Sequence, residues 1–144
     1  MKFQALHILI VVITAICCCA QYDPLTPDTP ANKKGFERHL GFAPPPTVSD
    51  IYYYDDEIGI DVLYQLGFRA DQQTIDKIIM IQGLKQHDGP HDVSGLVGDE
   101  FPWWNQEDVD TLTPYWRESK DQDYFLFLWY NPETKCAYFL EFST

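Results

Sequence analysis

The sequence predicts an α+β fold in which a small antiparallel sheet of about four strands packs against one or two helices. The C-terminal stretch DYFLFLWYNPETKCAYFLEFS has two β-rich runs around a turn, which is the pattern of a β-hairpin. The stretch DQQTIDKIIMIQGL has isoleucines at helical spacing. An antiparallel sheet with helices on one face is the simplest arrangement of these elements.

The first clear strand is IGIDVLYQLGFRA, in which apolar residues alternate with others. Five apolar side chains share one side of it: Ile60, Val62, Tyr64, Leu66 and Phe68. The preceding stretch VSDIYYYDDEIG is ambiguous. Ser49 or Asp50 there is suited to cap a short helix that ends at Gly59.

The central helix has signals at both ends. Asp71 is a good N-cap, and Gly83 stands where a left-handed C-cap belongs, with Leu84 placed to fold back on Ile79. Further along, Asn105 is suited to cap a single turn through QEDVD, and TPYWRES reads as a strand.

Residues 1–20 have the order of a secretory signal peptide, with Lys2, an apolar run and small residues before a cleavage position after Ala20. The apolar run is shorter than the roughly 20 residues that a membrane-spanning helix needs. We therefore expect an exported protein, secreted or periplasmic.

Three adjacent cysteines, Cys17, Cys18 and Cys19, leave a second interpretation open. One of these thiols would be acylated, and the chain would be lipid-anchored through an N-terminal Cys. Ile16, Cys17 and Cys18 are not the small residues that such processing favours before the modified Cys. A single acyl chain would give only marginal membrane binding.

Residues 21–46 hold most of the prolines and mixed charges, so a disordered spacer is predicted there. Residues 47–144 then form a single globular domain. If cleavage follows Ala20, Cys136 remains without an intramolecular disulfide partner, and its place at the start of a strand predicts a small buried hydrophobe.

Charge and composition exclude several functions. The chain has 22 Asp and Glu against 10 Lys and Arg, a net charge of −12. Such a chain lacks the basic surface that nucleic acids require, and anionic membranes are disfavoured for the same reason. The sequence has neither a Gly-rich phosphate loop nor a G-x-S-x-G nucleophile motif, and it indicates no cofactor.

Aromatic residues are the candidate binding residues. Adjacent tryptophans on an extended segment point to opposite sides, so one member of the pair in FPWWNQEDVD is expected in the core and the other at the surface. We place Trp103 and Trp129 in the core. Trp104, Tyr115 and Trp116 are the predicted exposed contacts for a protein or glycan partner.

The stretch HDGPHD supports an alternative, a small metal-dependent hydrolase with His87, His91 and Asp92 as ligands. Gly89 and Pro90 break the helix on which the i, i+4 histidines of zinc proteases lie. A calcium loop starting at Asp88 also fails, because Val93 stands where a Gly is required. A non-enzymatic binding module with an aromatic-rich, acidic surface is therefore the leading hypothesis.

Overall fold

A computed structural model describes residues 23–58, 61–86, 101–119 and 124–143. These residues form three helices and six strands, as follows: α1 (Pro30–Leu40), β1 (Ser49–Ile58), β2 (Asp61–Arg69), α2 (Gln72–Gln82), β3 (Lys85–Gln86), α3 (Gln106–Thr111), β4 (Tyr115–Glu118), β5 (Tyr124–Asn131) and β6 (Cys136–Ser143). None of the helices in these ranges is long and apolar enough to span a membrane.

The strands form one antiparallel sheet in the order β1-β2-β6-β5-β4-β3. The predicted α+β class is confirmed, but the prediction of about four strands is wrong. The structure adds β1, which the sequence left ambiguous between helix and strand, and the two-residue β3. The predicted C-terminal hairpin is present as β5 and β6, paired from Tyr124↔Ser143 to Asn131↔Cys136.

One side of the sheet, the helix face, packs against α1 and α2. Alternate residues of the central strands point into this core, among them Leu66, Leu128 and Phe139, which have no more than a trace of exposed surface. Ile75 and Ile78 of α2 are fully buried against them. The alternation predicted for β2 is therefore confirmed where the structure describes it.

The opposite side, the tryptophan face, carries a second core. Phe127, Trp129 and Leu140 point into it, and the segment from Phe101 to Leu112 covers them. Several buried donors there, including Nε1 of Trp129, have no hydrogen-bond partner among the described residues. Ring packing and apolar burial stabilise this face.

Helix α1 corrects the prediction of a disordered spacer over residues 21–46. Thr29 caps the helix by accepting a hydrogen bond from the Asn32 backbone N–H, and Pro30 occupies the first helical position. Phe36 and Leu40 are fully buried on the helix face. The folded domain therefore includes the described residues of this segment, because α1 supplies part of its core.

Gly35 allows α1 to lie directly against β1. A Cβ atom at this position would stand 2.7 to 2.9 Å from three ring carbons of Tyr53. Such distances are too short for any real Cβ, so only glycine permits this contact between the Tyr53 ring and the helix backbone.

The segment before α1 forms hydrogen bonds with the start of β1. Asp28 accepts hydrogen bonds from the backbone N–H groups of Asp50 and Ile51 and donates its own N–H to the Ile51 carbonyl. The buried Asn32 side chain donates to the same carbonyl. The β1–β2 register shifts between Ser49 and Tyr52, and Asp28 satisfies the backbone groups at this bulge.

The local predictions for α2 and α3 are confirmed. Asp71 caps α2 by accepting from the Thr74 N–H, and Gly83 adopts the left-handed conformation with φ 63°. The Leu84 N–H returns to the Ile79 carbonyl at 3.0 Å. Asn105 caps α3 through the Glu107 N–H.

Truncation of Phe36 tests whether α1 belongs to the domain. Phe36→Ala should lower the free energy of unfolding by about 3–5 kcal/mol, because a fully buried ring leaves a cavity. Leu25→Ala is the control, since Leu25 is 62% exposed and its loss should change stability by less than about 0.5 kcal/mol. Urea denaturation followed by circular dichroism measures both. Equal effects of the two substitutions would show that α1 does not contribute to the core.

Candidate functional site

The structure reverses the predicted roles of the two adjacent tryptophans. Trp104 is 7% exposed and packs edge-on against Trp129 and Tyr138, so it is a core residue and not the predicted surface contact. Trp103 is only partly buried. The reason is a turn in which the Trp104 N–H bonds to the Phe101 carbonyl at 3.0 Å, whereas the prediction assumed an extended segment.

Tyr115 and Trp116 are not brought together with Trp104. As neighbours on β4 they lie on opposite faces of the sheet: Tyr115 packs on the helix face and Trp116 on the tryptophan face. Both are partly buried, and the Trp116 ring stacks on Phe127. The three predicted contacts therefore do not form one surface.

Trp103 instead stands beside aromatic rings of its own segment and of β1. Its ring is parallel to Tyr52 at 5.5 Å and to Phe101 at 5.1 Å between centroids. The Trp103 indole N–H donates to the Pro24 carbonyl, which ties it to the N-terminal segment. Beneath it lies Gly67, where a Cβ atom would stand 2.5 Å from Trp103 Cε3. Trp103 can occupy this place only because β2 has glycine there.

A cavity of about 410 Å³ lies next to Trp103 and is called the Trp103 pocket here. Its volume falls in the range of about 300–1,000 Å³ that is typical of small-molecule sites. The residues that matter for its chemistry come from β1, β2, β6 and the turn before α3: Asp50, Tyr52, Arg69, Trp103, Asn105 and Tyr138. These elements meet because β1, β2 and β6 are neighbours in the sheet.

An ion pair forms the polar wall of the pocket. Arg69 Nε lies 3.1 Å from Asp50 Oδ2, and each side chain is about half exposed. Arg69 Nη1 also donates to the Thr134 carbonyl at 2.9 Å, which fixes the guanidinium to the β5–β6 turn. Asp50 is at the β1 bulge with φ 53°. Such an exposed pair contributes at most about 1 kcal/mol to stability.

Tyr138 is fixed in the pocket wall by hydrogen bonding. Its hydroxyl donates to Asp108 Oδ2 at 2.9 Å, while Asn131 donates to the other oxygen of the same carboxylate. Burial, and then the hydrogen bond to Asp108, raises the pKa of Tyr138 well above its usual value. Tyr138 is therefore a neutral phenol whose proton is already committed to Asp108.

Cys136 also lines the pocket. Its thiol is free and only partly buried, with Sγ 3.8 Å from the Thr134 carbonyl oxygen. The prediction of a buried small hydrophobe is therefore only partly right, because β6 begins at this residue and its side chain lies at the pocket wall.

A second polar group, on the helix face, was missed by the sequence reasoning. His39 Nδ1 lies 2.8 Å from Glu141 Oε2, and Nε2 lies 3.1 Å from the Tyr53 hydroxyl, which in turn donates to Asp55. The side chain of His39 is 5% exposed. This network joins α1 to β1 and β6.

The residues of the hydrolase hypothesis, His87, His91 and Asp92, lie outside the described residues. Within the described ranges, no group of three or more His, Cys, Asp or Glu side chains is arranged to hold a metal ion. The metal hypothesis therefore stays a prediction.

Comparison with protein-family models, with curated proteins and with solved structures finds no match to this chain.

The contact between Gly67 and Trp103 can be tested with a double-mutant cycle. Gly67→Ala should destabilise the fold by about 1–3 kcal/mol, because the added methyl group displaces the Trp103 ring. The near-ultraviolet circular dichroism that arises from the Tyr52–Trp103 stack should weaken. In a Trp103→Ala background the same substitution should cost much less, because the ring is gone. An equal loss of stability in both backgrounds would contradict the contact between Gly67 and Trp103.

The buried tyrosines predict a loss of stability at high pH. Burial raises the pKa of Tyr53 and of Tyr138 above the ordinary value of about 10, so the folded state keeps protons that the unfolded state releases. Their stabilisation is complete below pH ~10 and is lost as the pH rises beyond it, by up to about 1.4 kcal/mol per pH unit for each group. Tyr138→Phe should make this decline shallower in urea titrations between pH 9 and 11.5. An unchanged slope would contradict the assignment.

Proposed function

We propose that this protein is an exported, non-enzymatic binding module whose ligand site is the Trp103 pocket. The observation that carries the proposal is the pocket itself, in which aromatic rings and hydrogen-bonding groups converge in a cavity of ligand size. The proposed partner is a glycan or a segment of another protein. Export is supported by the signal-peptide pattern of residues 1–20, and lipid anchoring through Cys17, Cys18 or Cys19 is the alternative form of attachment.

The pocket is preformed, which supports a binding role. Trp103 is fixed by Tyr52, Phe101 and the Pro24 carbonyl, and Arg69 is fixed by Asp50 and Thr134. A ligand therefore does not have to order these side chains when it binds, and the entropic cost of association is reduced.

The charges in the pocket also favour binding over acid–base chemistry. The carboxylate of Asp50 is paired with a guanidinium, and the Tyr138 proton is committed to Asp108. These groups present fixed donors and acceptors, which orient a ligand.

The proposal is tested with the chain from residue 21 onward and two tryptophan variants. Trp103→Ala removes one wall of the pocket. Trp116→Ala is the matched control, because it removes another partly buried indole from the same face of the sheet outside the pocket. Thermal shift and intrinsic fluorescence are recorded with glycan fragments, short peptides and amino-acid amides as probes.

A probe that binds the folded state raises the melting temperature, by an amount equivalent to about 2.7 kcal/mol at one hundred times its Kd. We expect at least one probe to stabilise the parent chain and the Trp116→Ala variant but not the Trp103→Ala variant. A response that survives in Trp103→Ala would place binding elsewhere on the protein. A complete lack of response would count against the binding function.

A further inference from the structure

We propose that the ligand of the Trp103 pocket is a neutral sugar ring with two adjacent hydroxyl groups, which are bound by Asp50 and Arg69. This inference rests on the binding function proposed above and names the chemical class of the ligand. Its basis is the set of hydrogen-bonding positions that the ion pair leaves open, together with the aromatic wall beside it.

The internal bonds of the ion pair leave one donor group and one acceptor unused. Arg69 uses Nε for Asp50 and Nη1 for Thr134, so its Nη2 amino group has no partner among the described residues. Asp50 uses Oδ2 for Arg69, and its Oδ1 has no partner in the same part of the chain. Both side chains are about half exposed, so the ion pair is open to a ligand.

A pair of adjacent hydroxyl groups is complementary to this arrangement. One hydroxyl donates its proton to the carboxylate oxygen Oδ1, and its neighbour accepts from the guanidinium Nη2, because a hydroxyl both donates and accepts. Both bonds involve charged protein groups, which makes them stronger than bonds between neutral groups. Asn105 lines the same pocket, and its amide nitrogen is a further donor group, since its oxygen accepts from the Glu107 N–H.

The aromatic wall favours a ring with an apolar side. Tyr52 and Trp103 line the pocket next to the ion pair. The two rings are parallel to each other, and the ring surface that is left toward the pocket packs against the weakly positive C–H groups on one side of a sugar ring. The same ligand thus forms hydrogen bonds to the ion pair through its hydroxyl groups and packs against the aromatic wall through its C–H groups.

Charged ligands fit less well. The positive charge of Arg69 is balanced by Asp50 at 3.1 Å, and the chain as a whole has a charge of −12, so an anion gains little. An ammonium or guanidinium group only donates hydrogen bonds, so it cannot use the Nη2 donor of Arg69. A neutral polyhydroxylated ring avoids both penalties and still uses both charged groups.

The test compares intact and diol-free forms of the same glycans. Periodate cleaves the carbon–carbon bond between adjacent hydroxyls to give two aldehydes, and borohydride then reduces these to alcohols, so the ring is opened. Soluble 1,4-linked tetrasaccharides of glucose, mannose and xylose are used before and after this treatment, with tryptophan amide and a neutral peptide as probes that have no diol. Binding is measured by calorimetry and by tryptophan fluorescence.

We expect at least one intact tetrasaccharide to bind and its treated form to bind at least about tenfold more weakly. Asp50→Asn should weaken the same binding by about tenfold, because it removes a charged acceptor while Asn tolerates the positive φ at this position. Arg117→Gln is the control, because it removes an exposed guanidinium from β4, away from the pocket, and should leave the affinity unchanged. Melting temperatures verify that all variants are folded.

The outcomes separate this inference from the function on which it rests. If the peptide or tryptophan amide binds in a manner that depends on Trp103 and no sugar binds, the proposed binding function is supported and the sugar is excluded as the ligand. Equal binding of treated and intact glycans would overturn the role of the adjacent hydroxyls. If no probe binds in a manner that depends on Trp103, both the binding function and this inference fail.

Discussion

The contact between Tyr53 and the backbone of helix α1 is the interaction on which most of the architecture depends. Gly35 allows the ring to touch the helix, and the Tyr53 hydroxyl meets His39 one turn further along. Burial of the hydroxyl, and its hydrogen bond to Asp55, raises the pKa of Tyr53, so the phenol stays neutral and donates to that carboxylate. The same residue thus joins α1 to β1 by packing and by hydrogen bonding, and this brings Phe36 and Leu40 into the core.

The helix face and the Trp103 pocket are on opposite sides of the sheet, but the segment before α1 contributes to the structure of both. Asp28 satisfies the backbone at the β1 bulge, and the bulge brings Asp50 to Arg69 in the pocket wall. The carbonyl of Pro24 holds Trp103 from the same segment. Removal of the residues before α1 would therefore alter the pocket as well as the helix.

The parts of the fold that depend on local signals could be predicted from the sequence. The caps of α2, at Asp71 and Gly83, and the hairpin of β5 and β6 are specified by neighbouring residues. Helix α1 has the same kinds of signal, Thr29 and Pro30 at its start and Gly41 at its end. It was missed because its buried positions include Asn32, Gly35 and His39, which give no apolar periodicity, and because the surrounding prolines resemble a linker.

The candidate site depends on contacts between distant residues, and the sequence contains no signal for them. Asp50, Arg69 and Tyr138 are brought together by sheet pairing alone, and none of them stands in a motif. Alternation in an extended segment predicts Trp103 in the core and Trp104 at the surface. The turn from Phe101 to Trp104 reverses that order, and Pro102 at its second position is the local signal for it.

The hydrogen bonds of Asp28 to β1 have a consequence for how copies of the protein behave in concentrated solution. A strand at the edge of a sheet can pair with a strand of another molecule, and this is a common route to aggregation. Here the N–H groups of Asp50 and Ile51 and the Ile51 carbonyl are occupied by the protein's own chain. Further along β1, Asp55 and Asp56 bring negative charge to the same edge, so two copies approaching edge to edge would repel each other. The fold thus discourages fibre formation through this edge.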